Sequence, residues 1–253
     1  MGKIPESKGT DRVWIQDGKI FKSVSAEEAK GMDNVIAGKP LPPRGGHAAR
    51  CYAIYDVGTQ HVNYNFGGKT IDKWQRKVYL FWEMPSFRCH MTTKEDELLN
   101  RPLSINKEYT FSNSEKGNLM KDLKSWLGAA EVEGDDFEIN ELISKVCFLN
   151  VDRKLSQAGR ERADIMSIME LPDEMTEPKA ENDPVTFLFE EDFDLEASEI
   201  RPPDYVPEWI AKKIMESREV QERQEAGASV AAALKHSEQV ESTGYGEDDN
   251  LPF

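Results

Sequence analysis

Residues 49–66 read ARCYAIYDVGTQHVNYNF and residues 73–84 read KWQRKVYLFWEM, separated by a turn that begins with Gly67-Gly68. Both stretches are dense in aromatic and β-branched residues, which suit a pleated, half-buried surface. They predict two long strands joined by a basic, glycine-containing loop over 67–73. Within the second, alternation sends Val78, Leu80 and Trp82 to one face and Lys77, Tyr79, Phe81 and Glu83 to the other. The first set is a core face, whereas the second combines rings with charge.

Working downstream, PLSINKEYTF (102–111) fits a third strand. The period then changes in SEKGNLMKDLKSWLG (114–128). Leu119, Met120, Leu123, Trp126 and Leu127 recur at three- and four-residue intervals, with Ser114 as N-cap and Gly128 just past the end, which predicts an amphipathic helix. A short second helix fits DDFEINELISK, and KVCFLNVDRK and RADIMSIMEL read as two strands around a basic turn. The order β-β-β-α-β-β is that of an OB-fold, a Greek-key barrel with one curved face open to ligand. An SH3-like barrel and an α+β sandwich compete with it. The expected class is mainly β with helices: a five-stranded OB-fold-like barrel over 44–172, preceded by an extended arm or linker at 1–43. An acidic segment at 173–226 follows, with a short strand and a helix opened by Pro207 that pack on the barrel. Residues 227–253, low in complexity, are expected to form a disordered tether and an acidic docking tip.

The chain holds 32 Lys and Arg against 47 Asp and Glu, a net charge of −15. Residues 171–253 account for that excess, with 7 basic and 22 acidic side chains. A polyanionic partner is therefore not excluded by the total, because 44–81 carries six basic residues against two acidic ones. Cys51, Cys89 and Cys147 are odd in number and far apart, as expected of free thiols in a reducing cytoplasm. No stretch approaches the ~18 apolar residues of a membrane span.

Marks of catalysis are missing. His47, His61, His90 and His236 show no metal-ligand spacing, and RGGHAAR (44–50) lacks the ending of a phosphate loop. Asp135-Asp136 and Asp248-Asp249 lie in polar surroundings that suit solvated loops. The expectation is a protein that is not an enzyme and holds no metal or cofactor. What the sequence offers instead is a surface on which bases could stack while cations follow phosphates. Its candidate residues are Arg50 and Tyr52 on the first strand, Lys69, Lys73, Trp74 and Arg76 in the loop, and Lys77, Tyr79 and Phe81 on the second strand. Arg153 and Lys154 extend the basic track. Taken singly, Tyr79 and Phe81 are more readily read as core, whereas Trp74, beside Lys73 and Arg76, is balanced between the two readings.

The chain ends GYGEDDNLPF. A solvating tail gains nothing from a terminal Leu-Pro-Phe, whereas a docking peptide gains apolar burial. This ending resembles the C-terminal tip of bacterial single-stranded DNA-binding proteins. Glu247, Asp248 and Asp249 match the acidic run, Leu251 the apolar position, and Pro252 and Phe253 the terminal pair; Asn250 departs from it. That resemblance implies recruitment of replication, recombination and repair proteins. The body, through ARCYAIYDVGTQ, RKVYLFWEMP, INKEYTFSNSEKGNLMKDLKSWLG and FLFEEDFD with PEWIAKKIMESREV, is similar to a group of bacteriophage proteins described as binding single-stranded DNA. The expectation is thus a phage-encoded, OB-fold protein of the bacterial host cytoplasm that coats single-stranded DNA, with homo-oligomerisation left open and no membrane partner. A protein-interaction adaptor is the alternative, and a DNA-processing nuclease stands behind it.

Overall fold

The structure, a computed structural model, describes residues 13–32, 34–92, 98–112, 114–132, 137–156, 159–197 and 200–226. In chain order the elements are β1 (Val13–Gln16), β2 (Lys19–Lys22), α1 (Ala26–Lys30), β3 (Val35–Ala37), β4 (Gly45–Phe66), β5 (Lys69–Thr92) and β6 (Leu98–Thr110). They continue with α2 (Asn118–Leu127), α3 (Ala129–Val132), a 3₁₀ turn (Ile139–Leu142), β7 (Val146–Leu155), β8 (Glu161–Met169), β9 (Val185–Phe187), α4 (Phe189–Asp192) and α5 (Glu208–Met215). Residues 218–226 are also helical.

The long strands follow from the aromatic and β-branched runs, and the turn between β4 and β5 from Gly67 and Gly68. Both glycines have positive φ, 57° and 78°, the conformation a two-residue hairpin demands. α2 forms where the period switches, burying Leu119, Leu123 and Trp126. The Trp126 indole N–H donates to the Val146 carbonyl at 2.7 Å, and its ring lies 6.0 Å from that of Trp82. Gly117, not Ser114, occupies the N-cap, and Ser114 contributes its carbonyl to the preceding turn.

The expected closed OB-fold barrel is not what forms. Among the described residues nine strands make one mixed, open sheet, ordered β3-β2-β1-β5-β4-β7-β8, with β6 on β5 and β9 on β4. Closing a barrel requires its two outermost strands to meet in a register set by tilt and shear. Here, among the described residues, β6 and β8 are not hydrogen-bonded to each other. Register shifts interrupt β5–β6 between Met84 and Arg88, and β7–β8 between Asn150 and Val151. A strap of residues 39–43 lies at this seam instead: Lys39 Nζ donates to Ser104 Oγ on β6, and the Leu41 carbonyl accepts from Arg153 on β7. The stretch 13–37, read from sequence as part of an extended arm, adds β1, β2, α1 and β3. β1 joins the sheet through the far end of β5, pairing Ile15 with His90.

The chain divides into two compact units, Met1–Asp56 with Lys77–Phe187, and Val57–Arg76 with Leu188–Phe253. The first unit buries residues 78–84 without interruption, together with Leu103, Ile105, Tyr109, Leu149, Val151 and Ile168. The second unit buries Phe189, Phe193, Ile210, Ile214 and Val220. No helix among the described residues is long and apolar enough to cross a membrane.

Candidate functional site

The residues singled out from sequence do not assemble into one surface. Tyr79 and Phe81 are only 5% and 8% exposed. Phe81 packs edge-on against Tyr52 and Tyr55, at centroid distances of 6.2 and 5.4 Å, and Tyr79 donates its phenol to Glu108. The cations nearby are engaged. Arg50 donates to the carbonyls of Pro178 and Ser144 and lies 3.9 Å from Glu177. Lys77 bonds Thr110 and pairs with Glu108 at 3.5 Å, Arg153 pairs with Glu161 at 3.6 Å and Lys154 with Asp164 at 2.9 Å. These lie in the first unit. Lys69, Lys73, Trp74 and Arg76 lie in the second, on β5 and not in the expected loop, because the turn takes only Gly67 and Gly68; there Arg76 reaches Glu190 at 2.5 Å and Trp74 is 38% exposed. Glu247, Asp248, Asp249, Leu251, Pro252 and Phe253 fall outside the described residues.

What the fold does build is a cleft of about 540 Å³ at the open seam, wholly within the first unit. The strap supplies Lys39, Pro40, Leu41 and Pro42, β5 supplies Tyr79, β6 supplies Ser104 to Glu108, and β8 supplies Arg162 to Ile165. Three prolines in Pro40-Leu41-Pro42-Pro43 hold the strap extended. Apart from Tyr79, these lining residues were invisible to sequence reasoning as a group. The proline run was legible as a turn cluster, but its partners lie more than sixty positions away, as the Lys39–Ser104 bond shows.

The cleft's charges are matched. Glu108 takes the Tyr79 hydroxyl and Lys77; Asp164 takes Lys154 and Arg162, the latter at 3.3 Å. Lys107 reaches Asp122 at 2.6 Å, and the same carboxylate oxygen accepts from the Tyr109 hydroxyl at 2.7 Å. Burial, then acceptance by Glu108, raises the Tyr79 phenol pKa; burial, then the Asp122 charge, raises that of Tyr109. Both phenols are thereby held protonated as donors. The three cysteines are buried and unbridged, and burial pushes each thiol above its ordinary range. Among the described residues no three His, Cys, Asp or Glu side chains are grouped to hold a metal ion.

No family model, curated protein or solved structure matches the chain. The expected kinship with phage single-stranded DNA-binding proteins, and the DNA-coating function inferred from it, are corrected accordingly. The barrel on which a curved stacking face depends is replaced by an open sheet, and no match supports that function. The replication-protein partners expected on the same grounds go with it.

Proposed function

We propose that this protein is a non-catalytic protein-interaction adaptor whose first unit holds an extended segment of a partner protein. The observation that carries this reading is the cleft between β6 and β8, which are not paired to each other among the described residues, where strand edges meet apolar and polar side chains in one trough. Edge strands offer free backbone donors and acceptors, and an extended peptide uses them while its alternate side chains enter pockets. Pro40, Leu41, Pro42, Ile105 and Ile165 supply apolar contact, and the internally paired charges suit a chain of low net charge. A non-catalytic role is supported by the state of the reactive groups: the thiols are buried with raised pKa, and the cleft carboxylates are tied to cations. The three buried, unbridged thiols also support a cytoplasmic location.

Selection from a random displayed-peptide library against the purified full chain tests the reading. Selected peptides are expected to compete with one another and to be lost on Ala163→Trp, which fills the cleft at a half-buried wall position. Peptides that bind Ala163→Trp as tightly as the parent, at unchanged melting temperature, would sink it.

A further inference from the structure

The hairpin of β4 and β5 continues well beyond its sheet neighbours. β4 pairs with β7 and β9 only as far as Tyr55, and β5 pairs with β6 only from Lys77 onward. From Val57 to Arg76 the two strands therefore form a ribbon whose outer edges carry no strand among the described residues. The ribbon is fastened at its base within its own unit. The Thr59 amide donates to the Glu219 carboxylate at 3.0 Å, Gln60 donates to the Lys213 carbonyl at 2.9 Å, and Arg76 pairs with Glu190.

One face of the ribbon is locked by polar contacts. His61 meets Asp72 at 2.6 Å, Asn63 donates to the same carboxylate at 3.2 Å, Thr70 donates to Asn65 at 2.9 Å, and the Trp74 ring lies 5.1 Å from His61. These contacts fix the cross-strand register. Alternation then places Val62, Tyr64, Lys69, Ile71 and Lys73 together on the opposite face. Tyr64 is 49% exposed, and Lys69 and Lys73 are exposed with no carboxylate paired to them among the described residues.

We infer that this ribbon is a second docking surface, independent of the cleft, that adds an extended acidic segment of a partner protein along the outer edge of β5. Lys69, Ile71 and Lys73 face one way along that edge. The complementary strand therefore carries Glu, an aliphatic residue and Glu at alternate positions, so that each side chain meets its match across the new pairing. Charge selects the occupant: in a chain of net charge −15, these two lysines have no carboxylate partner among the described residues and lie beside an aliphatic side chain. Nucleic acid fits less well. The face with the lysines offers a base one ring, Tyr64, with the aliphatic Val62 and Ile71 where a second would be needed, and the face that carries Trp74 also presents the Asp72 carboxylate to a phosphate.

The test is fluorescence anisotropy of the full chain with a labelled peptide centred on Glu-Thr-Val-Lys-Glu. Saturable binding that weakens as salt rises is expected. Exchanging both lysines, Lys69→Glu with Lys73→Glu, should weaken it by roughly tenfold or more and should create binding for the peptide in which both Glu are Lys. N-methylation of the Thr, Val and Lys amides together should abolish binding, because edge addition in either strand direction needs hydrogen bonds from alternate amides of that run. Both lysines are exposed, so a thermal melt of the double variant is expected to match the parent. Equal affinity of the acidic peptide for parent and double variant would overturn the inference, as would undiminished binding of the N-methylated peptide. A lysine-dependent preference for a single-stranded oligonucleotide over the peptide would overturn it too.

Discussion

By alternation Glu83 belongs with Lys77, Tyr79 and Phe81 on a ligand-facing surface, yet its side chain is fully buried. Its two oxygens accept from the backbone amides of Glu181 and Asn182, at 3.1 and 2.8 Å, and from the Asn182 side chain at 2.7 Å. Arg88 adds an ion pair to Glu181 at 2.5 Å. One carboxylate thus anchors an acidic stretch across the face that sequence reading left open. Glu83→Ala would leave these part-buried donors without their acceptor, and the expected loss is roughly 1–3 kcal/mol in a urea titration, because a partly desolvated orphan costs more than the bond contributes. Protection of the 181 and 182 amides from hydrogen exchange should fall in the same variant. An unchanged urea midpoint would show that solvent reaches those amides already. The hydrophobic run through residues 78–84 was legible as a strand, but not its double coverage. Alternation reports one wet face only when the other side stays uncovered, and a strand covered on both sides loses that signal.

At the scale of elements, what local pattern controls was readable and what long-range pairing controls was not. The β4–β5 hairpin, α2 and the β7–β8 pair follow from periodicity and turn residues. β1, β2 and β3 are three or four residues long and offer too little alternation to read. Closure of the sheet was illegible for another reason: strand count is local, whereas the meeting of β6 with β8 depends on registers that the shifts near Met84 and Asn150 disturb. α2 shows how capping rules yield to packing. Its N-cap, Gly117, makes no side-chain cap bond, and its first turn carries no acid. Replacing an N-cap glycine with Asp ordinarily helps by a few tenths of a kcal/mol. A Cβ on Gly117, however, would sit 2.9 Å from the Ser114 carbonyl oxygen, which is backbone and cannot swing aside. Gly117→Asp is expected to lower the melting temperature, while Asn118→Glu, one position inside, should stabilise by about 0.3–1 kcal/mol through the helix dipole. A Gly117→Asp protein that melts higher than the parent would mean that the turn at Ser114 relaxes freely.

For the molecule as a whole, the segregation of acid into the last third was legible, but its role was not. Glu177 and Glu181 meet Arg50 and Arg88 in the first unit, so Arg50, counted as available by local charge, is already engaged. The same unit concentrates protonated groups away from water, and this sets how global stability responds to pH. Cys51, Cys147 and Tyr109 are at most 2% exposed, and burial raises the pKa of each; the Asp122 carboxylate raises Tyr109 further. Their ordinary values are 9.0 for the thiols and 10.0 for the phenol. Because the folded values lie above the unfolded ones, the unfolded chain releases these protons first as pH rises. Their stabilising contribution is therefore complete below the unfolded values and is lost as pH climbs from there toward the folded ones. Each group can remove up to about 1.4 kcal/mol per pH unit across that window. Urea midpoints should hold steady from about pH 7 to 8 and then fall between about pH 9 and 11, with the thiols acting first. Tyr109→Phe, which keeps the buried ring but has no proton to lose, should start less stable and then fall less steeply above about pH 10. A parent midpoint that stays level through this alkaline range would show that these groups titrate while folded, and that the core around Cys51, Cys147 and Tyr109 opens readily to water.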